Sequence, residues 1–133
     1  YDVVVTPNMF GDISTDLASV LQGGMGIAAS ANLGDKHGMF EPVHGSAPKY
    51  AGQNTTNPMA MISSVSMMFD WLGETNDDDD CRAIGNFIDQ AVAEVLKGNT
   101  LTYDLGGSAG TTDVGDAVVT QLEKMLREHF ALA

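Results

Sequence analysis

At 133 residues, with 44% of them hydrophobic, the chain has the size of one domain and enough apolar material for a core. Eighteen Asp and Glu against six Lys and Arg leave a net charge of −12, which argues against binding nucleic acid or an anionic membrane, since both need a cationic surface. A single cysteine, Cys81, rules out an internal disulfide and a cysteine-based metal cluster.

No apolar run is long enough to span a bilayer, and the opening Tyr1-Asp-Val-Val-Val5 lacks the positive region of a signal peptide. The expectation is a soluble, cytoplasmic protein. Tyr1 stands directly before a strand-like run with no leader or linker, as in a piece cut from a longer chain.

In chain order, Asp2 to Thr6 is a β-branched run that reads as a buried strand ended by Pro7-Asn8. A helix is expected from about Met9 to Leu21, with Leu17, Val20 and Leu21 as its docking side and Ser14 and Ser19 elsewhere. Asp12 and Asp16 lie one turn plus about 40° apart, so both carboxylates leave one face. Two hard anionic oxygens so placed suit Mg²⁺ or Mn²⁺, the other coordination positions coming from water, substrate or another chain. An acidic first turn that merely complements the helix dipole would look the same.

The helix should stop at Gln22-Gly-Gly-Met-Gly26, and Ile27 to Leu33 carries small side chains of the kind found where a backbone or ligand comes close. Gly34 to Gly38 reads as a turn into Met39–Val43. In His44-Gly-Ser-Ala-Pro-Lys-Tyr-Ala-Gly52, Gly45, Ser46 and Ala47 let main-chain N–H groups approach a polar or anionic ligand, and Pro48 fixes the exit. His44 adds two ring nitrogens, Lys49 a cation and Tyr50 an aromatic hydroxyl. The loop is a plausible nucleotide cradle, although a well-made surface loop shares its composition.

Asn57-Pro58 opens a third segment, a helix apolar nearly all round and therefore a core or interface element, its methionines serving as adaptable packing. Asp77 to Asp80 reads as the solvated start of the next helix, about Cys81 to Lys97, with Ile84, Ile88, Val92 and Val95 as its buried stripe. Leu101 to Leu105, which includes Tyr103 and Asp104, reads as extended. Thr112 or Asp113 can cap a last helix to about His129 that buries Val118, Leu122, Met125 and Leu126. His37 and His129 read as surface residues without partners.

Four motifs then stand in order: Phe10-Gly-Asp-Ile-Ser-Thr-Asp16, Gly23-Gly-Met-Gly-Ile-Ala-Ala-Ser-Ala-Asn-Leu-Gly34, Phe40-Glu-Pro-Val-His-Gly-Ser-Ala-Pro48 and Asn57-Pro58. In these the chain resembles the C-terminal part of the β-decarboxylating dehydrogenases, the isocitrate and 3-isopropylmalate dehydrogenases. The resemblance covers nearly the whole chain. It implies an α/β fragment of that fold, residues 1–133 forming one segment with a metal-binding helix at 9–21, a dinucleotide loop at 40–58 and a helical remainder at 59–133. No standard Rossmann motif is present.

The resemblance further implies oxidative decarboxylation of a 2-hydroxy acid, isocitrate or 3-isopropylmalate, with Asp12 and Asp16 on the metal and hydride passed to NAD or NADP. Glu41, His44, Gly45, Ser46, Ala47 and Asn57 would line the dinucleotide site, Glu41 toward nicotinamide and His44 and Asn57 near adenine. Pro48, Lys49, Tyr50, Tyr103 and Asp104 belong to the same implied set. Lys49, Tyr50 and Tyr103 match positions that meet the 2′-phosphate in NADP users, while Gly106-Gly107 stand where many of those enzymes add an Arg, and Phe10 and the stretch Asp104 to Gly110 look like 3-isopropylmalate dehydrogenases. The balance leans slightly to NADP. The proton-transferring Tyr and Lys of the family would lie upstream, and the full-length enzyme would be a homodimer, so that this fragment would be inactive alone. A non-catalytic nucleotide-binding or interaction module of the same ancestry is the alternative.

Overall fold

A computed structural model describes residues 1–130. Its elements are α1 (Asn8–Ser19), the strands β1 (Ala29–Leu33) and β2 (Gly38–Pro42), and the helices α2 (Met59–Asn76), α3 (Asp79–Lys97) and α4 (Thr111–Phe130), with single 3-10 turns at Val20–Gln22, Pro48–Tyr50 and Tyr103–Leu105. The fold is α/β, as expected: helices packed on a short two-stranded sheet.

The core lies among α2, α3 and α4. Met59, Ala91, Val92, Val95, Val114 and Val118 are buried together, with Ile62, Leu96, Leu101 and Leu122 packed around them. The stripe read on α3 holds, since Ile88, Val92 and Val95 are buried and Ile84 partly so. Gly85 sets how closely α2 and α3 approach, because a Cβ there would collide with the Asp70 carboxylate. The Ser66 hydroxyl donates to the Gly85 carbonyl at 2.9 Å across the same crossing, which satisfies a buried polar group.

Helix ends follow local chemistry. The Asp78 carboxylate accepts the Cys81 N–H at 3.0 Å and caps α3; Asp79 and Asp80 occupy its first turn and Lys97 its last. At α4, Asp113 accepts the Gly110 N–H at 2.8 Å, and Asn54, far away in sequence, accepts the Thr112 N–H at 2.9 Å. Asn54 Nδ2 also donates to Thr112 Oγ1 at 2.9 Å, so the cradle loop is fastened to the start of α4.

The sheet is antiparallel, pairing Ser30 with Glu41 and Ala31 with Phe40. The Phe40 ring meets Trp71 of α2 at 6.0 Å between centroids, which seats the sheet on the helical body.

Four expectations are corrected. Asp2 to Thr6 forms no strand and is exposed: among the described residues the sheet consists of β1 and β2 alone, and this run pairs with neither of its free edges, so its apolar side chains stay in solvent. Leu17, Val20 and Leu21 do not dock: they are 76, 69 and 90% exposed, whereas Ser19 is buried. The helix turns Ser19 toward Ala28 and Val43, with which it lines a small cleft, and the Ser19 hydroxyl is satisfied by the Asp16 carbonyl at 2.7 Å. Within Leu101 to Leu105, Tyr103–Leu105 is a 3-10 turn, the Thr102 carbonyl accepting the N–H groups of Leu105 and Gly107, each at 3.0 Å. His129 has partners, its ring standing edge-on to Phe87 at 5.0 Å and to Phe130 at 4.7 Å.

Candidate functional site

The helix α1 and the sheet open a first cavity of about 440 Å³ between them, lined by Asp12, Thr15 and Asp16 from α1, Ser30 from β1, and Glu41, Pro42, Val43, His44 and Gly45. The i, i+4 spacing brings the two aspartates to one wall, and the strand register sets Ser30 opposite Glu41 on the other. Thr15 turns its hydroxyl proton back to the Gly11 carbonyl at 3.0 Å. Asp12, Asp16 and Glu41 are all exposed. Among the described residues no group of three His, Cys, Asp or Glu side chains closes around a single point. The pair of aspartates thus offers part of a coordination sphere, a donor set of hard oxygens that fits Mg²⁺ or Mn²⁺ with the balance from water or substrate.

Across His44 and Gly45 lies a second cavity of about 320 Å³, lined by Gly26, His44, Gly45, Ala47, Tyr50, Thr56, Asn57, Tyr103 and Asp104. It is assembled from three stretches distant in sequence. Asn57 Nδ2 donates to Asp104 Oδ2 at 3.0 Å, while Asn57 Oδ1 accepts the Met59 N–H at 3.0 Å and so caps α2. Gly26 makes room for that pair, since a Cβ there would stand 2.9 Å from Asp104 Oδ2 and 3.2 Å from Asn57 Nδ2. Ala47 takes a left-handed conformation, φ 46°, and turns the chain into Pro48–Tyr50. His44 Nδ1 lies 2.8 Å from the Gly45 carbonyl, a contact that holds the ring beside the bend.

Tyr50 and Tyr103 meet with ring centroids 6.4 Å apart. A hydrogen bond with the Tyr50 side chain, then its charge, burial and the Asp104 charge, push the Tyr103 phenol above its ordinary value. The Lys49 ammonium stands 5.6 Å from the Tyr50 ring centre, a cation–π contact at an exposed site.

Of the residues singled out in the sequence, His44, Gly45, Ala47, Tyr50, Asn57, Tyr103 and Asp104 come together in this second cavity, and Asp12, Asp16 and Glu41 in the first. Ser46 lines an adjoining hollow with Glu41, Asn57 and Met61. Pro48 and Lys49 line none of these hollows and sit on the rim turn. Sequence reasoning missed Ser30, Thr56 and Gly26. The Ser30 role depends on strand register, and Thr56 gave no signal beyond preceding Asn57-Pro58. Gly26 stood in a glycine-rich stretch read only as a helix stop.

The family described as isocitrate/isopropylmalate dehydrogenase matches residues 1–118, and this chain belongs to it. Homoisocitrate dehydrogenase of Methanocaldococcus jannaschii is 49% identical over 97% of this chain, which spans 35% of that relative's length. The NADP isocitrate dehydrogenase of Archaeoglobus fulgidus is 42% identical over 94% of the chain, which spans 30% of it. The crystal structure of a β-decarboxylating dehydrogenase from Thermococcus kodakarensis in its apo form superimposes with a TM-score of 0.78 at 40% identity, covering 95% of this chain and 35% of that one. No helix among the described residues is long and apolar enough to cross a membrane.

Proposed function

We propose that this chain carries part of the metal site and the dinucleotide site of an enzyme that oxidatively decarboxylates a 2-hydroxy acid, isocitrate or 3-isopropylmalate, with hydride transfer to NAD or NADP. The observation that carries the reading is the shared wall: His44 and Gly45 border both the aspartate cavity and the Asn57–Asp104 cavity. A dinucleotide laid across that bend would have its adenine end on Asn57 and its nicotinamide end by Glu41, next to a substrate held over Asp12 and Asp16.

Asp12 and Asp16 would hold Mg²⁺ or Mn²⁺. When bound, that ion supplies Lewis-acid polarisation of a chelating hydroxyl and carboxylate and stabilises negative charge left on oxygen when CO₂ departs. The chain's own residues do the rest of the binding. Asn57 and Asp104 present an N–H donor and a carboxylate acceptor side by side, complementary to the N1 and amino edge of adenine. Gly45, Ser46 and Ala47 leave the loop backbone open to the diphosphate. Lys49, with the Tyr50 and Tyr103 hydroxyls, offers a cation and two phenols to a 2′-phosphate, and this favours NADP slightly over NAD. The groups that move the proton would come from the part of the full-length enzyme that this chain does not span, and a homodimer is the expected assembly.

The test is a steady-state assay of the full-length protein with isocitrate and 3-isopropylmalate, each with NAD and NADP plus Mn²⁺. Asp12→Asn should remove metal-dependent turnover while the fold persists, and an unchanged metal dependence would refute the role of α1. Lys49→Asp should raise the KM for NADP more than that for NAD; equal changes would remove the 2′-phosphate argument.

A further inference from the structure

The candidate cofactor cavity is bordered by a carboxylate on an exposed turn, Asp104, and a surface carboxylate has several rotamers of similar energy. Here its orientation is set from behind. Thr102 is completely buried and is not among the residues lining the cavity. Its hydroxyl donates to Asp104 Oδ1, a hydrogen bond to a carboxylate. With Oδ1 so held, Oδ2 faces Asn57 Nδ2 at 3.0 Å.

Asn57 has no freedom to flip. Its Oδ1 is engaged by the Met59 N–H at 3.0 Å, so its amide nitrogen must face Asp104, and of the two hydrogens on that nitrogen one goes to the carboxylate. The chain of bonds runs from the Thr102 hydroxyl through the carboxylate and the amide to the first turn of α2. It ties three segments together at the point where Gly26 already leaves no space for a side chain.

We propose that Thr102 is the positioning residue of the dinucleotide cavity: without touching the ligand, its buried hydroxyl fixes the rotamer of Asp104 and, through it, the donor and acceptor that Asn57 and Asp104 present to a purine. The inference rests on the reading of this cavity as the dinucleotide site. Removing the hydroxyl at constant shape frees Asp104 to rotate, breaks its bond to Asn57 and leaves the purine edge to be matched by groups that must first be ordered. The effect falls on binding and not on turnover.

The experiment compares Thr102→Val, Thr102→Ser and Asp104→Ala in the full-length protein by steady-state kinetics with NADP and NAD, with thermal unfolding as a control. Thr102→Val should raise the dinucleotide KM by roughly tenfold, the size of one lost charge-assisted bond, with kcat within about twofold, and Thr102→Ser should return KM to within about twofold of the parent. An unchanged KM in Thr102→Val, a serine variant as impaired as the valine one, or a fall in kcat at constant KM would each overturn the proposal. Asp104→Ala separates the two failures. If it raises KM while Thr102→Val does not, Thr102 has no positioning role; if it too leaves KM untouched, the cavity is not the dinucleotide site. Should Thr102→Val fail to fold, Thr102→Ser against Thr102→Cys, similar in size with a far weaker donor, is read by the same criteria.

Discussion

The two ends of this chain bury their apolar residues very differently. In the helical body, Met59, Ala91 and Val114 are fully buried where α2, α3 and α4 meet. In the N-terminal arm, α1 and the 3-10 turn after it, by contrast, Val3, Val4, Val5, Ile13, Leu17, Val20 and Leu21 face outward, each more than 60% exposed. Both regions carry amphipathic or β-branched patterns of the kind that predict burial. The difference teaches that a pattern states a demand for a partner, and that the helices α2, α3 and α4 supply one another's. The chain spans 35% of the length of the Methanocaldococcus jannaschii relative.

The sharpest way to break this comparison is to place a carboxylate in each region. Val114→Asp should cost the 133-residue chain about 4 kcal/mol or more in denaturant unfolding, because Val114 is fully buried and has no partner to offer a charge. Leu17→Asp, on the exposed face, should change stability by no more than about 0.5 kcal/mol. Equal losses would mean that α1 is packed in solution.

A smaller effect concerns the helical body alone. Burial, and then the charges of Asp89 and Glu74, push the Asp70 carboxyl above its ordinary value of 3.8. A carboxyl raised in the folded state makes folding less favourable once it must ionise, so the penalty is absent below the ordinary value and complete above the raised one. Asp70→Asn should therefore raise the unfolding midpoint at neutral pH, and the gain should fade as pH falls through that interval. A gain independent of pH would exclude the charge as its cause.

At Asp78 the carboxyl is held below its ordinary value, chiefly by the N–H and side chain of Cys81 at the cap of α3. Here the sign is reversed: the contribution is present above the ordinary value and lost as pH falls through the lowered one. Asp78→Ala should lower the melting midpoint at neutral pH and converge with the parent in acid. Parallel curves would remove the cap from the account.

The candidate site was legible to unequal degrees. The i, i+4 aspartates declared themselves because helix geometry is local, and they share a cavity as the spacing requires. His44, Gly45 and Asn57 were found through motifs, which compress a three-dimensional arrangement into a short stretch. Ser30 was not found, because its position on the cavity wall follows from a register that one strand alone cannot specify. Neither was Thr102, which is a buried residue of an irregular segment and whose only departure from an ordinary core threonine is the carboxylate two positions away.

Sequence alone thus determined the class of fold, the family, the four helices to within a few residues, the acidic start of α3 and the pair of aspartates on one face, all of which depend on interactions within a turn or two of chain or on motifs that compress them. Only the tertiary structure decided that Ser19 and not Leu17 is buried on α1, that Asp2 to Thr6 pairs with nothing, and that Gly26, Asn57 and Asp104 close one cavity. The physical reason is that burial and pairing are properties of two surfaces, and a sequence pattern describes one of them at a time.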